Sequence, residues 1–251
     1  MSCVNIRGCC IGEGRPKVII PIVEPTETAV LKKAAEFSTL RADCVEWRID
    51  CFEGAKDLPA IVHCAAKLRV ALKDQLLLFT FRTKAEGGKV ALAHEEYLHF
   101  IRTVLATDCA DLIDIEFFTV GAELPALIEE AHTAGAAVVC SSHDFHKTPP
   151  RAELVSRMVA MQQAGADLPK LAVMPQSRAD VLELLAATAE MADRHPETPI
   201  ITMSMGALGA VSRLAGEAFG SAMTFANPGQ ASAPGQVSLE VVNEVLDALH
   251  L

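Results

Sequence analysis

The chain has few positive charges and no hydrophobic stretch long enough to cross a membrane. Its 251 residues include 22 Lys and Arg against 32 Asp and Glu, a formal net charge of −10. A generic surface for nucleic acid or anionic lipid is therefore not expected, although a local basic pocket is compatible with this charge. The longest apolar runs, such as 18–23 and 76–81, have the length of strands and fall short of the ~18 residues that span a membrane.

Cysteine is too sparse for a disulfide scaffold. Eight cysteines are present and no CxxC pair occurs. Cys44, Cys64, Cys109 and Cys140 stand in apolar stretches, where they are expected as small core residues. The first 17 residues contain no apolar segment of the kind found in secretory signals. Together these features predict a cytoplasmic protein in a reducing compartment.

Short β-branched runs alternate with longer helical patterns eight times along the chain. The predicted strands are 18–23, 44–50, 76–82, 112–118, 137–143, 168–174, 199–205 and 222–227. The predicted helices are 27–38, 57–73, 93–107, 123–134, 151–164, 178–194, 208–218 and 237–249. Thr26, Ser177 and Asp180 are candidate helix-start residues, and Gly135 and Gly165 fall where helices should end.

This alternation predicts an α/β protein built on a parallel sheet. Eight units in ~250 residues match a (β/α)8 TIM barrel, here a single domain over 1–251 with a short N-terminal capping segment before the first barrel strand. The alternative is an open doubly wound sheet, which favours a Gly-rich phosphate loop after its first strand. Glu24-Pro25-Thr26 occupies that place, with no GxGxxG and no Walker motif.

One face of the second predicted strand is charged. Glu46, Arg48 and Asp50 share it, and the residues between them are apolar. A solvated edge strand would explain this pattern, but a closed barrel has no edge and covers its outer face with helices. In a barrel the three side chains should therefore point inward, toward the carboxyl-terminal mouth where active sites lie.

Other strand ends carry polar groups that converge on the same mouth: Thr80, Arg82, Asp114, Glu116, Ser141, Ser142, His143, Asp144 and Lys170. Lys170 stands alone in an apolar run. It is either a paired strand lysine or a nucleophile that forms a Schiff base, since burial favours the neutral amine that attacks a ketone. Met203 and Met205 share one strand face as an apolar wall or as plain core.

His143 is the last residue of a predicted strand and is followed by Asp144. This position favours a role as general acid or base over a role in packing alone. A metal site from His143, His146, Asp114 and Glu116 is conceivable, but no known ligand spacing supports one.

Two loops and one arginine complete the candidate mouth. Glu86-Gly87-Gly88 follows the third strand, and 227–236 follows the eighth with Ser232 and Gln236 in it. The second loop is either a lid that excludes water or an ordinary polar loop. Arg213 is either a clamp for a phosphate or carboxylate, or a surface arginine.

Taken together, these motifs identify a family resemblance. From about residue 12 onward the chain resembles the type I 3-dehydroquinate dehydratases of the shikimate pathway. The matching stretches are GEGRPKVII (12–20), VEWRIDCF (45–52), LLFTFRTKAEGG (77–88), DLIDIEFF (111–118), SSHDFHKTP (141–149), ADLPKLAVMPQS (166–177), ITMSMG (201–206), SRLAGEAFGSAMTF (212–225) and ASAPGQ (231–236).

The resemblance implies a metal-free, cofactor-free dehydration of 3-dehydroquinate to 3-dehydroshikimate. It assigns Lys170 as the Schiff-base lysine, His143 as the general acid–base residue and Glu86 as the carboxylate that orients it. The substrate-binding residues it implies are Glu46, Arg48 and Arg82 for hydroxyls, Arg213 for the carboxylate, Met203 and Met205 for the apolar wall, and Ser232 and Gln236 in the lid. It also suggests a homodimer.

Two other functions compete with this one. A Schiff-base aldolase also uses a barrel lysine but usually binds a phosphate, for which no Gly-rich site follows the seventh or eighth strand. A catalytically inactive barrel that only binds a ligand is disfavoured by the presence of Glu86, His143 and Lys170.

Overall fold

A computed structural model describes residues 2–229 and 233–251. The strands within these ranges are β1 (Val4–Ile6), β2 (Cys9–Ile11), β3 (Lys17–Ile22), β4 (Cys44–Arg48), β5 (Leu76–Thr80), β6 (Leu112–Glu116), β7 (Ala137–Asp144), β8 (Leu168–Val173), β9 (Ile201–Ser204) and β10 (Met223–Phe225). The helices are α1 (Glu27–Phe37), α2 (Leu58–Leu72), α3 (His94–Leu105), α4 (Phe117–Val120), α5 (Leu124–Thr133), α6 (Arg151–Gln163), α7 (Arg178–Arg194), α8 (Val211–Leu214), α9 (Gly216–Phe219) and α10 (Leu239–Ala248).

Eight parallel strands, β3 to β10, form a nearly closed barrel with helices between them. Each strand pairs with the next from β3 to β9, and β10 pairs with β3. Between β9 and β10 the ring is completed by a bridge from Ile200 to Ser221, where the N–H of Ala222 donates to the carbonyl of Ile200 at 2.8 Å. The predicted TIM barrel is confirmed, and the open-sheet alternative is wrong.

The predicted helix signals act as expected. The side chains of Thr26 and Ser177 accept from backbone N–H groups at the starts of α1 and α7. Gly135 and Gly165 follow α5 and α6 with positive φ angles of 79° and 99°. The helix predicted over 208–218 is instead two short helices, α8 and α9. No helix in the described parts of the chain is both long enough and apolar enough to cross a membrane.

Strand alternation divides the core into two layers. Outward residues such as Val45, Trp47 and Phe79 pack under the helices, whereas Ile19, Cys44 and other inward residues fill the barrel at its amino-terminal end. Trp47 is fully buried, with the rings of Phe52 and Phe79 at centroid distances of 5.7 and 5.8 Å. The charged face of β4 therefore points into the barrel, as predicted.

The N-terminal hairpin, β1 and β2, covers the amino-terminal end of the barrel. Ile11 is completely buried against the inward residues, and Val4, Ile6 and Cys9 pack on the same cluster. This is the predicted capping segment. The sulfurs of Cys3 and Cys10 are bonded within it as a disulfide, which the cysteine spacing did not predict.

A repeated Ala-Asp pair precedes three of the eight barrel strands. Asp43, Asp111 and Asp167 stand immediately before β4, β6 and β8. One carboxylate oxygen of each accepts the first free N–H of the preceding strand, from Val18 at 2.7 Å, Leu77 at 2.9 Å and Val138 at 2.7 Å. The aspartates therefore satisfy backbone donors that the sheet leaves open at this end.

Candidate active site

A cavity of about 190 Å³ opens at the carboxyl-terminal ends of the barrel strands. Ten of the eleven site residues proposed from the sequence line it: Glu46, Arg48, Arg82, Glu86, His143, Lys170, Met203, Met205, Arg213 and Gln236. Ser232, the eleventh, lies outside the described residues. Residues that are far apart in sequence thus share one mouth, because parallel strands present all their carboxyl ends there.

Lys170 extends from β8 into the wall of this cavity and is 3% exposed. Its Nζ lies 3.1 Å from Oδ2 of Asp114 and 4.6 Å from the centroid of the Phe225 ring. Met203 and Met205 line the cavity beside it. The amine is therefore held by one carboxylate and one aromatic face among apolar side chains, while it still borders the cavity.

Arg82 is buried in the cavity wall and surrounded by acids. Its Nη2 donates to Asp114 at 2.8 Å, and its Nη1 donates to Glu116 at 2.8 Å and to Ser141 at 3.0 Å. Burial lowers the pKa of the guanidinium, but the neighbouring carboxylates outweigh burial and raise it. Most of its hydrogen-bond donors already have partners within the protein. A ligand hydroxyl that contacts Arg82 therefore meets a guanidinium whose position is fixed.

His143 and Glu86 form a buried pair. The imidazole Nδ1 lies 2.8 Å from Oε2 of Glu86, and the backbone N–H of His143 donates to the same oxygen at 3.0 Å. Nδ1 is thereby turned to Glu86, which leaves Nε2 as the nitrogen for a ligand. The ring of Phe145 stacks beside the imidazole, with centroids 6.5 Å apart, and packs over Gly87, where a Cβ would lie 2.3 Å from it.

The ionisation of this pair is strongly perturbed. Burial, and then the positive charges of Arg82, Lys170 and Arg48, hold the pKa of His143 well below its usual value. Burial also raises the pKa of Glu86 to about 8, although Arg82 opposes it. The imidazole is therefore neutral near neutral pH, ready to accept a proton, and the two groups titrate as one coupled unit.

Glu46 and Arg48 occupy the opposite wall. Thr80 donates to Glu46 at 2.8 Å and so fixes its carboxylate. Arg48 donates through Nε and Nη2 to the two oxygens of Asp50, at 2.8 and 2.9 Å. Asp50 itself is the one member of the charged β4 face that does not line the cavity. β4 ends at Arg48, earlier than predicted, and Asp50 lies in the following 3-10 turn.

Arg213 is a buried cation with no carboxylate among its contacts in the described chain. It is 1% exposed, its Nε has no hydrogen-bond partner there, and Nη2 donates to the carbonyl of Pro234 at 3.3 Å. Burial lowers the pKa of its guanidinium to about 10. An unpaired buried charge that borders a cavity is a site for an anion.

Phe145 and Phe225 contribute to the site and were not predicted. Phe225 is the inward residue of β10 two positions after Met223, so strand alternation alone could have found it. Phe145 lies beyond β7, where no periodicity applies. Within the described ranges, no group of three His, Cys, Asp or Glu residues is arranged to hold a metal ion.

Comparison with known proteins agrees with this geometry. Residues 18–251 match the family model described as type I 3-dehydroquinase. Proteins named 3-dehydroquinate dehydratase from Bacillus licheniformis and Bacillus subtilis are each 47% identical, over 98% and 100% of this chain and 97% and 98% of their own length. A crystal structure of a type I 3-dehydroquinate dehydratase from Clostridium difficile, with covalently modified comenic acid, aligns with a TM-score of 0.96 at 43% identity, over 99% of this chain and 98% of that one. The chain belongs to the type I 3-dehydroquinase family.

Proposed function

We propose that this protein converts 3-dehydroquinate to 3-dehydroshikimate through an imine on Lys170, with His143 as general acid and base. The observation that carries the proposal is the shared cavity of a buried lysine and a neutral, Glu86-bound histidine. The family and the names of its relatives support the substrate.

The first half of the reaction increases the acidity of the proton on the carbon next to the ketone. The neutral amine of Lys170 adds to the ketone, and loss of water with uptake of one proton, relayed by His143, gives an iminium. The iminium withdraws electrons from the adjacent carbon, so that removal of a proton there yields a neutral enamine. Nε2 of His143 takes this proton, and the hydrogen bond between Nδ1 and Glu86 holds the ring in place for the transfer.

The second half returns the proton. The enamine expels the hydroxyl of the next carbon, which leaves as water with the proton from His143. Hydrolysis of the resulting conjugated iminium consumes one water, releases the proton taken up when the iminium formed, and frees Lys170 and the conjugated ketone. The water lost on imine formation balances the water used in hydrolysis, so the net change is loss of one water. The amine and the imidazole perform every step, and we propose no metal or organic cofactor.

The remaining cavity residues suit a polyhydroxylated anion. The unpaired Nε of Arg213 fits the substrate carboxylate. Glu46, Arg48 and Arg82 fit the hydroxyls, and Met203 and Met205 form an apolar wall against the ring. Gln236 lines the cavity, and we propose that it closes over the ligand together with Ser232. We further propose a single-domain chain that works as a homodimer in the cytoplasm.

Borohydride trapping tests the mechanism and the substrate together. The protein is incubated with 3-dehydroquinate, the mixture is reduced, and the modified peptide is located by mass spectrometry. We expect an adduct on Lys170, none on the exposed Lys147, and growth of enone absorbance in an unreduced sample. Product without an adduct would contradict the imine, and neither product nor adduct from folded protein would contradict the function.

A further inference from the structure

Asp50 is a fully buried carboxylate outside the cavity. Its side chain has no exposed surface, and it lies in the 3-10 turn that follows β4. A carboxylate without solvent is costly unless several donors face it. Burial raises its pKa, but hydrogen bonds and charge from Arg48, with the N–H groups of Lys89 and Arg82, lower it overall. Asp50 is therefore an anion whose surroundings are built to hold it.

Four N–H donors converge on this carboxylate, and the thiol of Cys51 lies 3.9 Å from Oδ2. Oδ1 accepts from Nε of Arg48 at 2.8 Å and from the backbone N–H of Arg82 at 3.3 Å. Oδ2 accepts from Nη2 of Arg48 at 2.9 Å and from the backbone N–H of Lys89 at 3.2 Å. The end of β4 is thus joined at one group to two points, Arg82 and Lys89, of the loop between β5 and α3.

The bond to Arg48 is bidentate, which fixes the plane of the guanidinium. Two of its three nitrogens are occupied by Asp50, and Nη1 has no hydrogen-bond partner among the described residues. Because Arg48 lines the cavity, Nη1 is the nitrogen left for a ligand hydroxyl. Without Asp50 the side chain would have no fixed orientation.

The bond to Lys89 acts on the loop that carries Glu86. Glu86 ends a short turn (Lys84–Glu86), and the N–H of Gly88 then donates to the carbonyl of Thr83 at 2.8 Å. The backbone of Gly88 lies so close to Arg82 that a Cβ would come within 1.8 Å of its carbonyl oxygen. Asp50 fastens the next residue, so the loop is closed at its far side, and Glu86 within it reaches His143.

We infer that Asp50 is a positioning residue that couples the ligand-facing Arg48 to the loop that presents Glu86 to His143. This inference rests on the proposed function, because it assigns Arg48 to the substrate and Glu86 to the general base. It predicts that loss of the Asp50 charge impairs substrate binding and loosens the loop together.

Asp50→Asn tests the coupling at constant shape. Whichever way the amide is turned, its NH2 group faces two of the four donors. We expect KM for 3-dehydroquinate to rise about 10-fold, with a smaller fall in kcat. Hydrogen exchange of the 83–90 backbone, measured without substrate, should be faster than in wild type. Asp43→Asn is the matched control, since Asp43 also accepts a backbone N–H but at the opposite end of the barrel. It should change neither readout.

Arg48→Lys separates the two halves of the inference. Lysine cannot make the bidentate contact, so KM should rise about as much as in Asp50→Asn while exchange of 83–90 stays at the wild-type rate. In the double variant the two KM effects should not multiply. Multiplying effects, an unchanged KM in Arg48→Lys, or unchanged loop exchange in Asp50→Asn would each overturn the inference.

Arg48→Lys keeps the test available if Asp50→Asn does not fold. The exchange measurement needs no turnover, so it decides the structural coupling even if the protein proves inactive on 3-dehydroquinate.

Discussion

Carboxylates lie at both ends of the barrel, but their surroundings differ. At the amino-terminal end, Asp43, Asp111 and Asp167 each accept a strand N–H beside an apolar interior that the hairpin covers, and Asp111 also pairs with Arg7 and Arg69 away from any catalytic candidate. At the carboxyl-terminal end, the acids meet cationic side chains around an open cavity: Asp50, Glu86, Asp114 and Glu116 with Arg48, Arg82 and Lys170. The comparison separates acids that complete the fold from acids that control the charge of other side chains.

The difference has a physical origin in what each partner can do. A backbone N–H is fixed and neutral, so an aspartate that accepts it has one stable arrangement. Side-chain cations place positive charge next to buried carboxylates, and groups at a cavity lack some of their hydrogen-bond partners. Both conditions shift the pKa values of these groups. Two groups with displaced pKa values border the cavity: burial lowers the pKa of Arg213 to about 10 and raises that of Glu86 to about 8. We expect variants at the two ends to fail in different ways.

The largest effect is expected from Lys170→Ala. Loss of the amine removes the proposed covalent step, so kcat/KM should fall by at least ~10⁴-fold with the fold intact. The matched control is Lys17→Ala. Lys17 is the first residue of β3, at the end of the barrel opposite the cavity, and its Nζ donates to the carbonyls of Glu13 and Arg15. It should keep wild-type turnover. Steady-state kinetics measure turnover of both variants, and circular dichroism checks their fold. Near-normal activity of Lys170→Ala would contradict the proposed role of the carboxyl-terminal end in catalysis.

An effect of the opposite kind is expected from Asp111→Asn. This carboxylate accepts from the N–H of Leu77 and from Arg7 and Arg69, far from the cavity. The amide leaves one of these donors unpaired, so stability should fall by about 2 kcal/mol and the melting temperature by about 5 °C.

Turnover of Asp111→Asn at 25 °C should be unchanged. Glu130→Gln, which breaks the exposed pair with Arg102, is the control and should shift the melting temperature by less than ~2 °C. A changed KM in Asp111→Asn would mean that the two ends are coupled.

A further effect, seen only when the pH is varied, is expected at Glu86. Its pKa is raised to about 8 in the folded protein, so the folded state retains a proton that the unfolded chain releases near pH 4.5. This group therefore contributes stability that is present below about pH 4.5 and is lost as the pH rises through about 8. Glu86→Gln cannot titrate, so its melting temperature relative to wild type should increase between pH 5 and pH 9.

The control for this pH series is Glu130→Gln, because Glu130 titrates below the range from pH 5 to pH 9. A hydrogen bond from Arg102 lowers the pKa of Glu130, so Glu130→Gln should show a constant difference from wild type between pH 5 and pH 9. Thermal melts at several pH values measure both variants. A flat profile for Glu86→Gln would show that Glu86 is an ordinary anion in the folded protein.

The barrel and its inward-facing charges were predictable because strand alternation is a local property. Charges at every second position of β4 point into the barrel wherever the intervening residues are apolar, as Trp47 is. The place where β4 ends was not predictable, since Asp50 leaves the strand to meet Lys89, 39 residues away in sequence. The packing of Phe145 over Gly87 likewise depends on two loops that meet only in the folded chain. The Ala-Asp repeat, by contrast, was visible in the sequence.

Trp47 has a practical consequence for all of these experiments. It is the only tryptophan of the chain, and it stands between Glu46 and Arg48 on β4. Strand alternation turns its indole to the apolar layer under the helices, away from the cavity. Its fluorescence should therefore be blue-shifted in the native state and move to the red on unfolding, with little response to a bound ligand. One intrinsic optical signal thus reports folding separately from occupancy for every variant at the mouth.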